Sequence, residues 1–256
     1  FIFLIVIILL MGKINEFFAI FKSFKKIIFL SITAFLITIN WTGFILAVNI
    51  NKVQDASMGY YMTPIISIML GYFFLNEKIT LLKLISILMM IASLIFLLIS
   101  LNTLPLLAIL IGTSWGVYGL LRKQIKVSVE IGLLYESGLI SLVAAPYLFY
   151  LNFKGDGFFL NHTSYTSILL ILTGAITIFP LFFFNLGLKF IPLGFAGIIF
   201  FLAPSLQFMT SVYILNETLN THKLISFVII WTAVAIFITD IFKEKKISEN
   251  NTQLLS

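Results

Sequence analysis

The chain has 256 residues, of which 61% are hydrophobic and only 10% are charged. Soluble domains carry about 25% charged residues, so this composition cannot cover a globule with polar surface, and most of its solvent must be lipid. The net charge of +6 is spread between hydrophobic runs, which argues against a nucleic-acid-binding stripe, and the absence of cysteine excludes disulfides, cysteine-ligated zinc and thiol catalysis. The composition indicates a polytopic helical membrane protein.

Apolar runs follow one another along the chain. The first run, 1–11, is too short for the about 20 residues that a transmembrane helix needs. It also lacks the preceding basic residue and the cleavage site of a signal peptide, so we expect the sequence to begin inside a helix. Eight full spans are predicted after it, at 27–48, 56–75, 79–100, 104–121, 131–151, 167–188, 193–215 and 221–242.

A sequence repeat relates the two halves of the chain. The segment 76-NEKITLLKLIS-86 returns as 216-NETLNTHKLIS-226, 140 positions later. Without gaps, 64–86 matches 204–226 at nine of 23 positions. Five of the nine are not hydrocarbons, so a shared apolar composition does not explain them: Pro64, Asn76, Glu77, Lys83 and Ser86.

The repeat predicts the organisation of the chain. Its offset implies two five-helix repeats, the first over 1–101 and the second over 102–242, followed by a polar, disordered tail at 243–256. In this alignment the first repeat lacks its first helix and part of its second. We therefore expect ten spans in the native chain.

Basic residues predict the orientation through the positive-inside rule. Thirteen of the 16 Lys and Arg residues fall on one side of the predicted spans and three on the other, namely Lys52, Lys154 and Lys223. This places the C-terminal tail in the cytoplasm. Because each repeat has an odd number of helices, the second repeat is inverted relative to the first. Inverted repeats are typical of secondary transporters, whose site lies near the midplane.

Several motifs resemble one known family. The stretches 40-NWTGFILAVN-49, 56-ASMGYYMTPIISIMLGYFFLNEKI-79, 116-GVYGLLRK-123 and 204-PSLQF-208 resemble RarD-like permeases of the EamA group, in the drug/metabolite transporter superfamily. The resemblance implies a ten-helix inner-membrane permease built from two five-helix repeats. Members carry the label "chloramphenicol-sensitive protein", and relatives export amino acids and other metabolites.

Only one acidic residue lies clearly inside a predicted span. Glu136 is five residues beyond Ile131, and burial of its charge would be costly, which suits a proton-coupling carboxylate. The alternative is a boundary glutamate that pairs with Arg122 or Lys123. Other acids favour structural roles: Asp55 and Asp240 at span ends are expected to be solvated, and the repeat partners Glu77 and Glu217 lie close to helix starts, where the helix dipole favours a carboxylate.

Neutral polar, aromatic and proline residues complete the predicted substrate pathway. Mid-span amides need partners in other helices or in a substrate, and aromatic side chains with polar tips can line a cavity. An interfacial belt is the alternative for the aromatic residues, and it is favoured more for Tyr118 than for Trp41. Prolines at matched positions of two repeats point to a transporter site. The predicted pathway residues, besides Glu136, are Asn40, Trp41, Tyr60, Tyr61, Pro64, Trp115, Pro204 and Gln207.

Three further patterns bear on packing and chemistry. Gly112 and Gly116 form a G-x-x-x-G that favours close helix packing or a homodimer contact. Pro146 and Pro180 also fall in spans, and a packing kink is the alternative interpretation for Pro146. The sequence has no H-E-x-x-H and no P-loop, so we expect no metal, no cofactor and no ATP hydrolysis.

These observations predict a secondary transporter of a small drug-like or metabolite molecule in the inner (plasma) membrane. Its expected partners are that small-molecule substrate and the lipid bilayer, with a homodimer left open and no nucleic acid. Two alternatives remain: a non-transporting membrane subunit or decayed permease, and an intramembrane enzyme. The enzyme reading needs a nucleophile–base or metal cluster within the bilayer, and both histidines, His162 and His222, lie in or beside loops.

Overall fold

A computed structural model describes residues 1–50, 52–101, 106–157, 159, 163–200, 202–214 and 221–253. Every regular element among them is an α-helix, which confirms the predicted all-helical class. The helices in chain order are α1 Ile2–Leu10, α2 Ile14–Ile20, α3 Phe24–Asn49, α4 Val53–Leu75, α5 Leu81–Leu101, α6 Leu106–Gln124, α7 Val129–Lys154, α8 Ser164–Gly187, α9 Leu193–Phe200, α10 Leu202–Tyr213 and α11 Thr221–Gln253.

Five helices are long and apolar enough to cross a membrane. They are α3, α7 and α8 together with the Leu81–Ser100 part of α5 and the Thr221–Lys243 part of α11. Each coincides with a span predicted from the sequence. Helices α1 and α2 qualify together as a sixth, although they are bent by 118° relative to each other. Gly12 lies at this bend with a φ of 66°, a conformation that favours glycine.

The other three predicted spans are helical as well. The described apolar part of α4, Gly59–Leu75, is shorter than a full span, and α6 covers the described part of the predicted span 104–121, from Leu106 on. Within the predicted span 193–215, the described residues are helical over Leu193–Phe200, named α9, and over Leu202–Tyr213, named α10. The total of eight full spans stays a prediction.

The chain divides into two compact units, each made of two chain segments. Unit 1 comprises Phe1–Ile39 with Tyr118–Ile191, and unit 2 comprises Asn40–Val117 with Pro192–Ser256. Two of the three boundaries between the units fall inside α3 and α6, and the third lies between α8 and α9. The predicted division into two repeats, between residues 101 and 102, is based on the sequence repeat and not on contacts between residues. It stays a prediction.

The core of unit 1 forms around the beginning of α7. All eight residues from Val129 to Glu136 are buried, so the first two turns of α7 have no exposed face. Leu4 and Ile8 of α1, with Ile20 of α2, pack against this segment. A helix that is covered on all sides lies in a protein interior, and α7 therefore brings Glu136 into the core of unit 1.

The core of unit 2 is dominated by the packing of α5 against α11. Met90 and Ala233 are fully buried there. The Ser93 hydroxyl donates to the Ser226 carbonyl at 3.0 Å, across the two helices. Small residues and interhelical hydrogen bonds of this kind replace the hydrophobic effect as the force that joins helices in lipid.

Glycines bring α4 close to two of its neighbours in unit 2. A Cβ at Gly59 would lie 2.7 Å from the carbonyl oxygen of Ala108, and a Cβ at Gly112 would overlap the carbonyl of Gly59. On α9, a Cβ at Gly197 would lie 2.8 Å from the Cβ of Ser67. The close packing predicted for the G-x-x-x-G that begins at Gly112 is thus confirmed for α6 against α4.

Helix starts recur at a constant interval. Helices α3 and α4 begin at residues 24 and 53, and α8 and α9 begin at residues 164 and 193. Each pair of starts is separated by 140 positions, the offset of the sequence repeat.

Helix α11 continues from the last predicted span into the polar tail, as far as Gln253, and the disorder of 243–256 stays a prediction. The segment 243-KEKKISENNTQ-253 contains neither glycine nor proline. Lysine and glutamate have favourable helix propensities, so nothing in the sequence ends the helix after Phe242.

Candidate functional site

The candidate site is a closed ring of polar side chains in unit 1, centred on Glu136. This residue is only 2% exposed. Its Oε1 accepts a hydrogen bond from the Thr33 hydroxyl at 2.7 Å, and its Oε2 accepts one from the Tyr118 hydroxyl at 3.3 Å. Both carboxylate oxygens are therefore held by neutral donors.

Arg122 supplies the opposite charge and is 6% exposed. Its Nη1 lies 3.5 Å from Glu136 Oε1, but makes no hydrogen bond. The other nitrogens are engaged: Nε donates to Asn185 Oδ1 at 2.8 Å, and Nη2 donates to the Val129 carbonyl at 3.3 Å. The guanidinium is thus fixed by neutral acceptors and meets the carboxylate only through a loose contact.

Asn185 closes the ring. Its Nδ2 donates to the Tyr118 hydroxyl at 2.9 Å and to the Leu181 carbonyl at 2.8 Å. The hydrogen bonds run from Arg122 to Asn185, from Asn185 to Tyr118 and from Tyr118 to Glu136. Each neutral member orients the next, so the two ions are held in place by separate sets of partners.

Local sequence explains how the helices build this ring. Tyr118 and Arg122 are four residues apart on α6 and so share one face of the helix. Gly132 lies one turn before Glu136 on α7, and a Cβ at Gly132 would overlap the Arg122 guanidinium. The glycine therefore leaves the space that the guanidinium fills.

A second polar cluster lies in unit 2, around Asn40. Its side chain is fully buried. The amide nitrogen donates to the Ile111 carbonyl at 2.8 Å and to the Ser114 hydroxyl at 3.2 Å, and the amide oxygen accepts from the Tyr60 hydroxyl at 3.1 Å. This cluster joins α3, α4 and α6 by the interhelical partners that a buried amide needs in lipid.

The sequence profile of the EamA-like transporter family matches residues 1–99 and 103–239 of the chain. The chain belongs to the EamA-like transporter family. An uncharacterized transporter of Vibrio cholerae serotype O1 is 33% identical over 216 residues, which cover 84% of this chain and 72% of that protein. Protein RarD of Escherichia coli strain K12 is 32% identical over 226 residues, covering 88% and 76%. The uncharacterized transporter YojE of Bacillus subtilis strain 168 is 32% identical over 233 residues, covering 90% and 78%.

These comparisons confirm the resemblance to RarD-like permeases. Together with the apolar helices, EamA membership makes the chain a multi-pass membrane protein of a transporter family. The names of its relatives point to transport and not to an enzyme. Within the described ranges, no three His, Asp or Glu side chains are grouped so that they could hold a metal ion.

The structure brings together only some of the predicted pathway residues of this EamA-family chain. Asn40 and Tyr60 are hydrogen-bonded partners in unit 2, and Glu136 belongs to unit 1. Trp41 is 36% exposed, and the Tyr61 ring packs edge-on against Phe227 at 4.6 Å between centroids.

The remaining members of the predicted set take other positions. Trp115 is buried in unit 2. Pro64 lies inside the continuous helix α4, where its Cα would be 3.1 Å from a Cβ at Gly197 of α9. The side chains of Pro204 and Gln207 lie outside the described residues.

Two expectations from the sequence were wrong. The interfacial belt is favoured more for Tyr118 than for Trp41, but Tyr118 is fully buried and bonded to Glu136, whereas Trp41 is the more exposed of the two. Asp240 was expected to be solvated, but it is 5% exposed and accepts a hydrogen bond from the Thr80 hydroxyl at 2.6 Å. Lys83 Nζ lies 3.8 Å from the Asp240 carboxylate. A span-end position says little about solvation when a neighbouring helix start supplies donors. The side chain of Asp55 is outside the described part of the chain.

Sequence reasoning missed Thr33 and Asn185, which are both buried in the ring. Asn185 lies in the predicted span 167–188, and the rule that singled out Asn40 would have found it. Thr33 carried no such signal, because a threonine in a helix can bond the carbonyl of its own preceding turn. Thr33 does so with Leu30 at 3.0 Å, in addition to its bond with Glu136.

Glu77 stabilises a helix start that is distant in the sequence. The backbone N–H groups of Leu193 and Gly194, the first two residues of α9, donate to its carboxylate at 2.6 and 3.2 Å. The preceding Asn76 has a φ of 55° and ends α4, which turns the chain so that Glu77 reaches α9. Its repeat partner Glu217 lies outside the described residues.

We expect Glu77→Gln to destabilise the start of α9 by about 1 kcal/mol, because a neutral amide loses the charge that complements the helix dipole. The measurement is hydrogen exchange of the Leu193 and Gly194 amides, which should become faster. Lys78→Gln, at an adjacent exposed position, is the matched control and should leave both rates unchanged. Equal protection of these amides in Glu77→Gln and the wild type would contradict the capping role.

Proposed function

We propose that the chain is a secondary transporter that moves a small drug-like or metabolite molecule by alternating access. The observation that carries this proposal is the match of a transporter family to both halves of the chain. The buried ion pair of Arg122 and Glu136 supports it, because ionisable groups inside membrane helices are costly and are commonly retained for transport.

We further propose that the two halves are inverted five-helix repeats. The family profile matches two separate ranges, and two pairs of helix starts share the 140-residue offset. With five helices in each repeat, the positive-inside distribution favours a cytoplasmic C-terminus in the plasma membrane. A cysteine placed at Ser256 should then be labelled by a membrane-impermeant maleimide only after the cells are opened. Labelling of intact cells would contradict this orientation.

Transport is tested by uptake into proteoliposomes that hold the purified protein. We expect saturable uptake of at least one compound from a panel of chloramphenicol, amino acids and related metabolites, above that of protein-free liposomes. A pH gradient imposed across the membrane then tests proton coupling, for which Glu136 is the proposed carboxylate. Absence of uptake across the whole panel by folded protein would favour a non-transporting subunit.

The proposed pathway residues are tested in the same assay. We expect Glu136→Gln and Asn40→Ala each to reduce the rate of uptake by at least about tenfold, since an unsatisfied buried partner costs roughly 1–3 kcal/mol. Gln207→Ala tests the amide proposed for α10. Lys126→Gln, at an exposed position after α6, is the control and should transport like the wild type. Unchanged uptake in all three pathway variants would show that the pathway lies elsewhere.

A further inference from the structure

We infer that Arg122 binds the anionic group of a substrate, and that the substrate anion and the Glu136 carboxylate alternate as its counter-charge. The transported molecule is accordingly an organic anion, such as a carboxylate, that moves together with one proton. This inference rests on the proposed transport function and adds its substrate class and coupling stoichiometry.

The Arg122 guanidinium has free hydrogen-bonding capacity. Arg122 is more than nine-tenths buried, and its Nη1 makes no hydrogen bond. A buried N–H without an acceptor is costly, and guanidinium pairs well with carboxylate and phosphate groups. An incoming anion would find at Nη1 a donor that makes no hydrogen bond within the protein and meets Glu136 Oε1 only at 3.5 Å.

Glu136 and Arg122 are each held in position by their own hydrogen-bond partners. Glu136 is bonded to Thr33 and Tyr118, whereas Arg122 is bonded to Asn185 and to the Val129 carbonyl. Their mutual contact of 3.5 Å is not a hydrogen bond. Because both ions keep their own neutral partners, a loss of charge on Glu136 does not release the Arg122 side chain from its position.

The positive charge of Arg122 must be balanced by one negative charge. A buried cation in a membrane requires one counter-charge nearby. When Glu136 is ionised it fills this role, and a second anion would leave a net negative charge in the core. When Glu136 takes up a proton, Arg122 has no counter-charge until an anion arrives. Proton uptake and anion binding are therefore mutually favourable, with one proton for each anion.

Few other charged or titratable groups near Glu136 could couple proton uptake to anion binding. From α6, the charged or titratable groups are Arg122 and Tyr118. Thr33 of α3 donates a hydrogen bond to Glu136, and Asn185 of α8 donates one to Tyr118. The side chains of Thr33 and Asn185 are neutral. On α7 itself, Glu130 is paired with Lys13 and Tyr135 meets the Ser31 hydroxyl at 3.0 Å, so these groups have separate partners.

The test is calorimetric titration of the purified protein with benzoate and with its neutral analogue benzamide, in two buffers of different ionisation enthalpy. In wild-type protein we expect uptake of about one proton per bound benzoate, and an affinity that rises about tenfold for each unit decrease in pH while Glu136 is ionised. Benzamide should bind at least about tenfold more weakly, since it cannot supply the charge.

Variants separate the roles of the two ions. In Glu136→Gln, Arg122 lacks its counter-charge permanently, so benzoate should bind without proton uptake and independently of pH. Arg122→Gln should abolish the preference for benzoate over benzamide, and Lys126→Gln should titrate like the wild type. The proton count on wild-type protein decides the question even if a variant does not fold.

The inference is overturned if benzoate and benzamide bind equally, if benzoate binds to the wild type without proton uptake, or if benzoate does not bind. Its failure is distinguishable from failure of the proposed function. Uptake of a neutral or cationic compound into proteoliposomes, without proton-linked anion binding, would retain the transporter and reject the anion site. Proton-linked benzoate binding without any transport would retain the anion site and reject the proposed transport function.

Discussion

Arg122→Met should lower the free energy of unfolding by roughly 3–5 kcal/mol, the cost of leaving one member of a buried ion pair without its partner. The variant leaves the Glu136 carboxylate buried among Thr33, Tyr118 and apolar side chains, with no counter-charge. The stability should be measured by denaturant titration of purified protein in mixed micelles. Lys126→Met, which removes an exposed positive charge of the same region, should change the stability by less than about 0.5 kcal/mol.

The double variant Arg122→Met/Glu136→Gln tests whether the loss of stability in Arg122→Met comes from its interaction with Glu136. Removal of both charges eliminates the unpaired ion, so the double variant should be more stable than Arg122→Met alone. The difference between the sum of the single effects and the double effect gives the coupling free energy. Additive effects of the two substitutions would contradict a direct interaction between Arg122 and Glu136.

Gly112→Ala should destabilise the protein by roughly 1–3 kcal/mol through overpacking. The new methyl group would overlap the backbone carbonyl of Gly59 on α4. A backbone carbonyl cannot rotate away as a side chain can, so α4 and α6 must separate locally. Thermal unfolding of the purified variant measures the loss.

Gly174→Ala is the matched control for this substitution. Gly174 also lies inside a helix, α8, but a Cβ there meets no atom within 4 Å. In the absence of a clash, alanine should stabilise the helix by up to about 1 kcal/mol through its better propensity. The two substitutions should therefore shift the unfolding temperature in opposite directions. A decrease of similar size in both would show that the close approach at Gly112 is not the cause.

The sequence predicted those features that depend on composition along one helix. Apolar length placed the five span-forming helices, and an acid within an apolar run singled out Glu136. Arg122 was one of two basic residues that could pair with it, and spacing alone could not choose between Arg122 and Lys123. Lys123 donates instead to the carbonyls of Leu188 and Ile191.

Features that depend on packing between distant segments were less accessible. Glu77 was placed correctly near helix starts, but the amides that it binds belong to α9, 116 and 117 residues away. Tyr118 has the composition of an interfacial residue, and only the positions of α7 and α8 turn it into a buried bridge between Asn185 and Glu136. A side chain with both an apolar ring and a hydroxyl suits either environment, so its position cannot be read from residue type.

The packing of α5 against α11 also constrains how the protein is made. Leu81 and Thr221, the first residues of these helices, are separated by 140 positions. At a synthesis rate of about 5–20 residues per second, α5 waits roughly 7–30 s for its partner to leave the ribosome. During that interval Ser93 has no Ser226 carbonyl to bond, and the buried face of α5 is open to other hydrophobic segments. The last helix of the chain therefore completes the core of unit 2, and a chain that stops before α11 leaves the buried face of α5 without its partner.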